Sequence, residues 1–163
     1  MKIVLFGSSP KEFMEHFYVQ HVSDKQRLMQ VRDFLSRVVM FYPNFTDWWD
    51  CKVIPGIDFN KRHVVVVENE SNELVGALVL KDDDEKKIST LYIHPDYRNL
   101  YIGPFLIQHA MCVLETEMPI ISIPEPLLVQ FENMLAKYCF VKTKEVPDLY
   151  VEGVTEVFFN DCK

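Results

Sequence analysis

The sequence lacks the features that would place it in a membrane, on nucleic acid or in an oxidising compartment. No apolar run approaches the roughly 18 residues a spanning helix needs, and no run of five or more basic residues occurs. With a formal charge of −7, the chain carries no electrostatic footprint for a phosphate backbone. An acidic surface leans toward neutral or cationic partners, or simply keeps the protein soluble. The start, MKIVLFGSSPKEF, is too short and too soon interrupted for a signal peptide and has no small-residue cleavage site. The four cysteines (Cys51, Cys112, Cys139, Cys162) show neither CxxC nor zinc spacing, so free thiols in a reducing cytoplasm are the simple reading. The five histidines are scattered, and no metal site is expected.

At 163 residues, 48% of them hydrophobic and 25% charged, the chain fits one globular domain with a real core. A strand is expected over Lys2–Phe6. Ser9-Pro10-Lys11-Glu12 reads as a capping box that starts a helix from Pro10 to about Gln20. Ser23-Asp24-Lys25-Gln26 is a second box, and Leu28, Val31, Phe34, Leu35, Val38 and Val39 carry a helical stripe to about Phe41. Asn44–Arg62 has no clean period and reads as an ordered loop with one helical turn.

Strands are expected at His63–Glu68, Leu74–Leu80 and Ile88–His94, joined by polar turns into an antiparallel meander. An amphipathic helix follows Gly103, then a strand at Pro119–Ile123 and a helix at Pro126–Tyr138. Phe140–Lys144, Leu149–Val151 and Thr155–Phe159 supply the last strands. Strands flanked by helices at both ends make the fold class α+β with a mixed, mostly antiparallel sheet.

The most informative stretch is ISTLYIHPDYRNLYIGPFLIQ, Ile88–Gln108: a strand, a glycine-bearing turn, then a helix. Such a turn offers backbone N–H groups without intrahelical partners, and the helix dipole adds partial positive charge, which suits a phosphate. Arg98 sits beside that opening and is the best single candidate for a phosphate contact; a solvated turn arginine paired with Asp96 is the bland alternative.

PDYRNLYIGPFLI resembles the pyrophosphate-binding turn of the GNAT acyltransferase superfamily, Gln/Arg-x-x-Gly-x-Gly/Ala. Arg98 and Gly103 match, and Tyr101 replaces the middle glycine. LVGALVL (Leu74–Leu80, with Gly76) and Lys137-Tyr138-Cys139-Phe140 extend the likeness over about residues 60–160, with Cys139 at another usual glycine. The chain is also similar to bacterial GNAT-like proteins through Tyr42-Pro43-Asn44-Phe45-Thr46-Asp47-Trp48, Glu85-Lys86-Lys87-Ile88, and the Tyr150–Glu156 segment.

The resemblance implies one acyltransferase domain over residues 1–163. Residues 1–60 form an acceptor-side part and 61–160 a coenzyme-A-binding core, with helices on both sheet faces. It implies acetyl-coenzyme A as co-substrate, an amine of a small molecule or protein as acceptor, and direct transfer without an acyl-enzyme; a homodimer is allowed. It assigns Arg98, Asn99, Leu100, Tyr101, Ile102, Gly103 and Pro104 to the phosphates. Leu91, Tyr92 and Ile93 would hold the pantetheine arm, a role compatible with plain core packing.

The family's common acid, a helix tyrosine, falls on Leu135 here, which leaves Tyr138 as a substitute acid and His94 as a candidate base. Both residues also read as structural. Trp48, Trp49 and Asp50 are candidates for a cationic acceptor pocket, or for a loop pinned by its aromatics. Tyr101 and the absent helix tyrosine keep a second reading open, a GNAT fold that has lost catalysis and serves as an interaction module.

Overall fold

The computed structural model describes residues 16–162. The expected strand at Lys2–Phe6 and most of the helix from Pro10 lie outside them. Where that helix was to end, Tyr18–His21 is instead strand β1, because Val19 is buried and pairs with Val67 of the neighbouring strand.

Helix α1 (Lys25–Leu35) starts one residue later than the capping box suggests. Asp24, not Ser23, is the N-cap, and its carboxylate accepts the Arg27 N–H at 2.9 Å. The helix also stops earlier. The Ser36 hydroxyl donates to the Asp33 carbonyl at 2.7 Å, and the chain tightens into a 3-10 turn over Ser36–Val38.

The aperiodic stretch after Pro43 is helical rather than a loop: α2 (Phe45–Trp48), a π-helical segment (Trp49–Val53) and α3 (Ile54–Ile57) run on. Pro55 cannot donate to the carbonyl four residues back, and its ring crowds that turn. The wider π-turn just before it, with the Ile54 N–H bonded to the Trp49 carbonyl, relieves the conflict.

Strands β2 (Arg62–Glu68), β3 (Leu74–Asp82) and β4 (Lys86–Ile93) form the expected meander. Then come α4 (Ile102–Leu114), β5 (Ile120–Pro124), α5 (Leu128–Lys137), β6 (Lys142–Pro147) and β7 (Thr155–Phe159). The segment Leu149–Val151, expected as a strand, is a turn closed by Asp148 accepting the Gly153 N–H at 2.6 Å. The sheet order is β1-β2-β3-β4-β5-β7-β6, antiparallel except for β4 and β5.

Alternation in β2 divides the core into two layers. Val65 and Val67 face α4 and α5, whereas Val64 and Val66 face α1 and the helical turns that carry Phe45, Trp49 and Val53. All four valines are buried, so both faces of the sheet are covered as the family likeness implied.

The parallel pair is very short. β4 and β5 are in register only at Lys87↔Ile120 and Ile88↔Ile121. At that point the β3–β4 register shifts, with Val79 opposite Thr90 and Leu80 opposite Ile88, which leaves Ser89 as an extra residue on β4. A bulge bends the strand that carries it, and beyond Ile88 the two strands part. Gly76 sets the helix that follows. A Cβ there would meet Ile102 at 3.1 Å and Ile93 at 3.2 Å, so its absence lets α4 start close against β3 and β4.

β1 is tied to α4 by His21 and His109, whose Nε2 atoms lie 2.8 Å apart. Burial first, and His21 second, pull the His109 pKa down to about 4, and His21 is lowered by burial and by His63. An unfolded chain takes up these protons near the ordinary value of 6.5 while the folded one resists. Stability is therefore held above about pH 6.5 and lost as pH falls toward about 4, by about 1.4 kcal/mol per pH unit for one proton. Urea midpoints at pH 7.5, 6 and 5 should fall along that course, and His109→Gln should flatten it; an unchanged slope in the variant assigns the acid sensitivity elsewhere.

Candidate active site

The parting of β4 and β5 opens a cleft of about 800 Å³. Its walls are β4 from Ile88 to Ile93, β5 from Ile121 to Pro124, the turn from Arg98 to Pro104, and Phe131, Met134 and Lys137 of α5. Arg37 and Tyr42, which follow α1, close the far side. Leu91, Tyr92 and Ile93 therefore line the cleft and pack the core at once. Leu91 and Ile93 lie against the α4–α5 layer, and Tyr92 sits edge-on to Phe34 of α1 at 5.2 Å between ring centroids.

The turn carries the backbone geometry an anion needs. Asn99 and Tyr101 both have left-handed dihedrals, φ +63 and +66. Tyr101 is the N-cap of α4 and its side chain caps nothing. Within the described residues, the N–H groups of Asn99, Leu100, Tyr101, Ile102 and Gly103 have no backbone acceptor, and Pro104 has no N–H to offer. Gly103 packs closely on α5, since a Cβ would lie 3.1 Å from the Met134 sulfur, which would have to shift by a few tenths of an ångström. The Arg98 Nε donates to the Ile93 carbonyl at 3.3 Å, which holds its guanidinium at the mouth of the cleft. Leu100 is exposed on the turn and does not line the cavity, though its N–H belongs to the same curve of backbone.

Two further cations share this cavity, Arg37 and Lys137, which sequence reading passed over. Neither they nor Arg98 pairs with a carboxylate among the described residues, and no acidic side chain lines the cleft. In a chain of net charge −7 this is a marked segregation of charge. No sequence spacing gives it away, because the three cations come from the end of α1, the turn and the end of α5.

The acid–base candidates are placed elsewhere. The His94 Nδ1 accepts the Asp96 N–H at 3.1 Å and so caps a short turn, and the side chain is not part of the cleft wall. The Tyr138 hydroxyl accepts from the Gln108 amide at 2.9 Å, on the side of α5 that faces α4 and away from the cavity. Leu135, at the family's tyrosine position, is buried in the core. Cys139 is left-handed at φ +59, which explains why a glycine is usual there. All four cysteines are free and exposed. Among the described residues no cluster of His, Cys, Asp or Glu is arranged to hold a metal, and no helix is long and apolar enough to cross a membrane.

The three acceptor-side candidates separate. Trp48 lines a smaller cavity of about 320 Å³ that adjoins the cleft. Trp49 is core, 1% exposed, and Asp50 faces α1, 3.4 Å from Arg32.

The two cavities share Tyr42, Ser89, Thr90 and Ser122, and behind that junction stands Glu156 of β7. Its carboxylate is 2% exposed and accepts the Tyr42 hydroxyl at 2.7 Å and the Ser122 hydroxyl. Burial raises its pKa above the ordinary 4.5, against the opposing effects of Tyr42, Ser122 and Lys87. The same burial, with the carboxylate beside it, pushes the Tyr42 phenol well above its usual range. A buried, up-shifted carboxylate beside a cleft is what a general base requires. Its sequence signal was the one acid within the otherwise apolar strand TEVFF.

The left-handed tyrosine stores strain. An L-residue in that conformation costs about 1 kcal/mol or more, and glycine removes the cost. Tyr101→Gly should raise the melting temperature, equivalent to about 1 kcal/mol; a lower value would mean that the ring contributes more by packing than the backbone loses.

The comparisons with known proteins bear on the fold and the family. The Acetyltransferase (GNAT) family profile matches residues 28–118. A GNAT-family protein of Desulfovibrio desulfuricans superposes with a TM-score of 0.71 at 11% identity, over 88% of this chain and 96% of that one. The yncA protein of Salmonella typhimurium, solved with its cofactor acetyl-CoA, gives 0.64 at 13% identity over 88% and 91%. Spermidine N-acetyltransferase of Vibrio cholerae, in complex with CoA and spermine, gives 0.61 at 11% over 90% and 96%. Among curated proteins none matches the sequence. With more than half of its length matched by the family profile, and with the family's splayed sheet, the chain belongs to the GNAT acetyltransferase family.

Proposed function

We propose that this protein is an acetyl-coenzyme-A-dependent N-acetyltransferase that transfers the acetyl group directly to an amine. The observation that carries the reading is the charge of the cleft. Among the described residues Arg37, Arg98 and Lys137 line it without an ion pair and no acid accompanies them, and the amides of Asn99–Gly103, which have no backbone acceptor, open onto the same end. A polyanion with a long neutral arm suits such a site. The phosphates belong at the turn, and the arm lies along the edge of β4 that has no neighbouring strand past Ile88.

Acetyl-coenzyme A supplies a thioester carbonyl open to attack by a neutral amine. The acceptor ammonium gives one proton through the Ser122 or Tyr42 hydroxyl to Glu156, and its nitrogen bonds the carbonyl carbon as the carbon–sulfur bond breaks. The second proton shed by nitrogen goes to the departing sulfur, so coenzyme A leaves as the thiol. The chain supplies position and a base, and positioning alone accounts for much of such a barrier. No cysteine lines either cavity, in keeping with direct transfer. The whole chain acts as one unit, and its exposed free thiols suit a reducing cytoplasm.

Acetyl-coenzyme A should raise the melting temperature, with about 2.7 kcal/mol gained at 100 times the dissociation constant. Arg98→Ala and Arg37→Ala should each weaken coenzyme binding several-fold with little change in the fold. Absence of any shift with acetyl-, longer acyl- or free coenzyme A would favour the interaction-module reading instead.

Glu156→Gln should cut kcat by about 100-fold or more while keeping an acceptor for the Tyr42 hydroxyl. The stability of that variant tests the burial argument. A carboxyl held above its ordinary value contributes most when protonated, and that contribution is lost as pH rises from 4.5 through the folded value. The variant should thus be as stable as the parent or more so at neutral pH, and an inactive, destabilised variant would point to a structural carboxylate.

A further inference from the structure

Lys87 is the one charged residue in the wall of the smaller cavity among the described residues. Lys87 of β4 lines it, half-buried, with no ion pair or hydrogen bond among the described residues; its ammonium lies 5.7 Å from the centroid of the Phe158 ring. Burial first, and Lys81 with it, lower its pKa, and the carboxylates of Glu85, Glu156 and Asp161 oppose that effect. A half-buried ammonium without a partner is unfavourable unless a ligand supplies the anion.

Asn44, Ser89, Thr90 and Ser122 add polar groups to the wall, and the rest of it is aromatic and apolar. Tyr42 and Tyr150 meet at 5.1 Å between ring centroids, Phe45 and Trp48 at 5.7 Å, and Leu149 completes the side. At about 320 Å³ the cavity is at the small end of the roughly 300–1,000 Å³ usual for ligand pockets. That size suits a compact acceptor. The opposite charge, Glu156, stands behind Ser122 and Tyr42 at the junction with the coenzyme cleft.

We infer that the acceptor is a free α-amino acid with an apolar or aromatic side chain. Its carboxylate pairs with Lys87, its side chain fills the Trp48–Tyr150 pocket, and its amine points to the junction with the coenzyme cleft. This rests on the N-acetyltransferase reading and adds to it the chemical class of acceptor. A polyamine is disfavoured by the same geometry, because a second cationic group would meet Lys87.

The test compares acceptors that differ only in the carboxylate. Thiol release is followed at saturating acetyl-coenzyme A with L-phenylalanine against phenethylamine, L-leucine against isoamylamine, and spermidine as the polycation. Binding of L-phenylalanine to the protein loaded with free coenzyme A is titrated calorimetrically, a readout independent of turnover. Each amino acid should exceed its decarboxylated amine at least tenfold in kcat/KM. Lys87→Met should erase at least tenfold of that preference, while Lys87→Arg retains most of it.

Preference for the plain amines or spermidine overturns the amino-acid assignment and leaves the transferase reading standing. The same holds for a preference that Lys87→Met does not touch. Binding of L-phenylalanine that Lys87→Met abolishes, without turnover of any acceptor, supports the pocket and overturns the transferase. Neither binding nor turnover overturns the pocket, and the thermal shift with acetyl-coenzyme A then decides the transferase reading separately.

Discussion

The structure depends on how few residues join β4 to β5. With only Lys87↔Ile120 and Ile88↔Ile121 in register, the middle of a seven-stranded sheet is held together at one end and open at the other. An open sheet interior is unfavourable in an ordinary domain, because the unpaired edge leaves amide and carbonyl groups without partners. Here the bulge at Ser89 directs the separation, and α4 and α5 roof the space it creates. The cleft is thus a consequence of strand register, and the turn from Arg98 to Gly103 is delivered to its mouth because it follows β4 directly. Gly76 fixes the last variable by letting Ile102 sit against β3.

Charge is distributed on the same plan. The acidic chain keeps its carboxylates off the larger cavity and leaves three cations facing it, while one buried carboxylate and one unpaired ammonium flank the smaller one. An anion entering the first space gains attraction without displacing an internal ion pair. In the second, Glu156 and Lys87 are near enough to influence each other yet do not meet, since Tyr42 and Ser122 occupy the carboxylate. Opposite charges kept apart by hydroxyl groups are the feature on which the proposed zwitterionic acceptor rests.

Sequence revealed the parts of this that are local. The apolar run of β3, the helical stripe of α1 as far as Leu35, and the strand–turn–helix around Arg98 are patterns a short window contains, and the structure reproduces them. Helices at Phe45–Ile57 were missed because a π-turn around Pro55 breaks the 3.6-residue period on which recognition rests. At Tyr18–His21 the strand exists through its pairing with β2, and pairing is invisible to local signals. His94 and Tyr138 were drawn in by residue type, yet a cap and an interhelical hydrogen bond use their polar atoms. Glu156, Lys87 and Arg37 went unassigned since their meaning comes from segments more than thirty residues apart being brought around one cleft.

Several of the chain's departures from local preference gather in one place. Most other left-handed residues are asparagines, or stand at a helix end or tight turn where that conformation is common; among the described residues Tyr101 is the only aromatic in that conformation. Glu156 puts a carboxylate in a buried strand, and Lys87 leaves an ammonium unpaired. Each lowers stability on its own, and each borders the same pair of connected cavities. The middle of β2 keeps the rules, with four consecutive valines buried on alternating faces. On the proposed reading these three choices are the ones that a ligand's phosphates, carboxylate and amine would offset. The proposed transfer uses both the buried carboxylate and the ammonium beside these connected cavities, and a docking scaffold gives no physical reason for either.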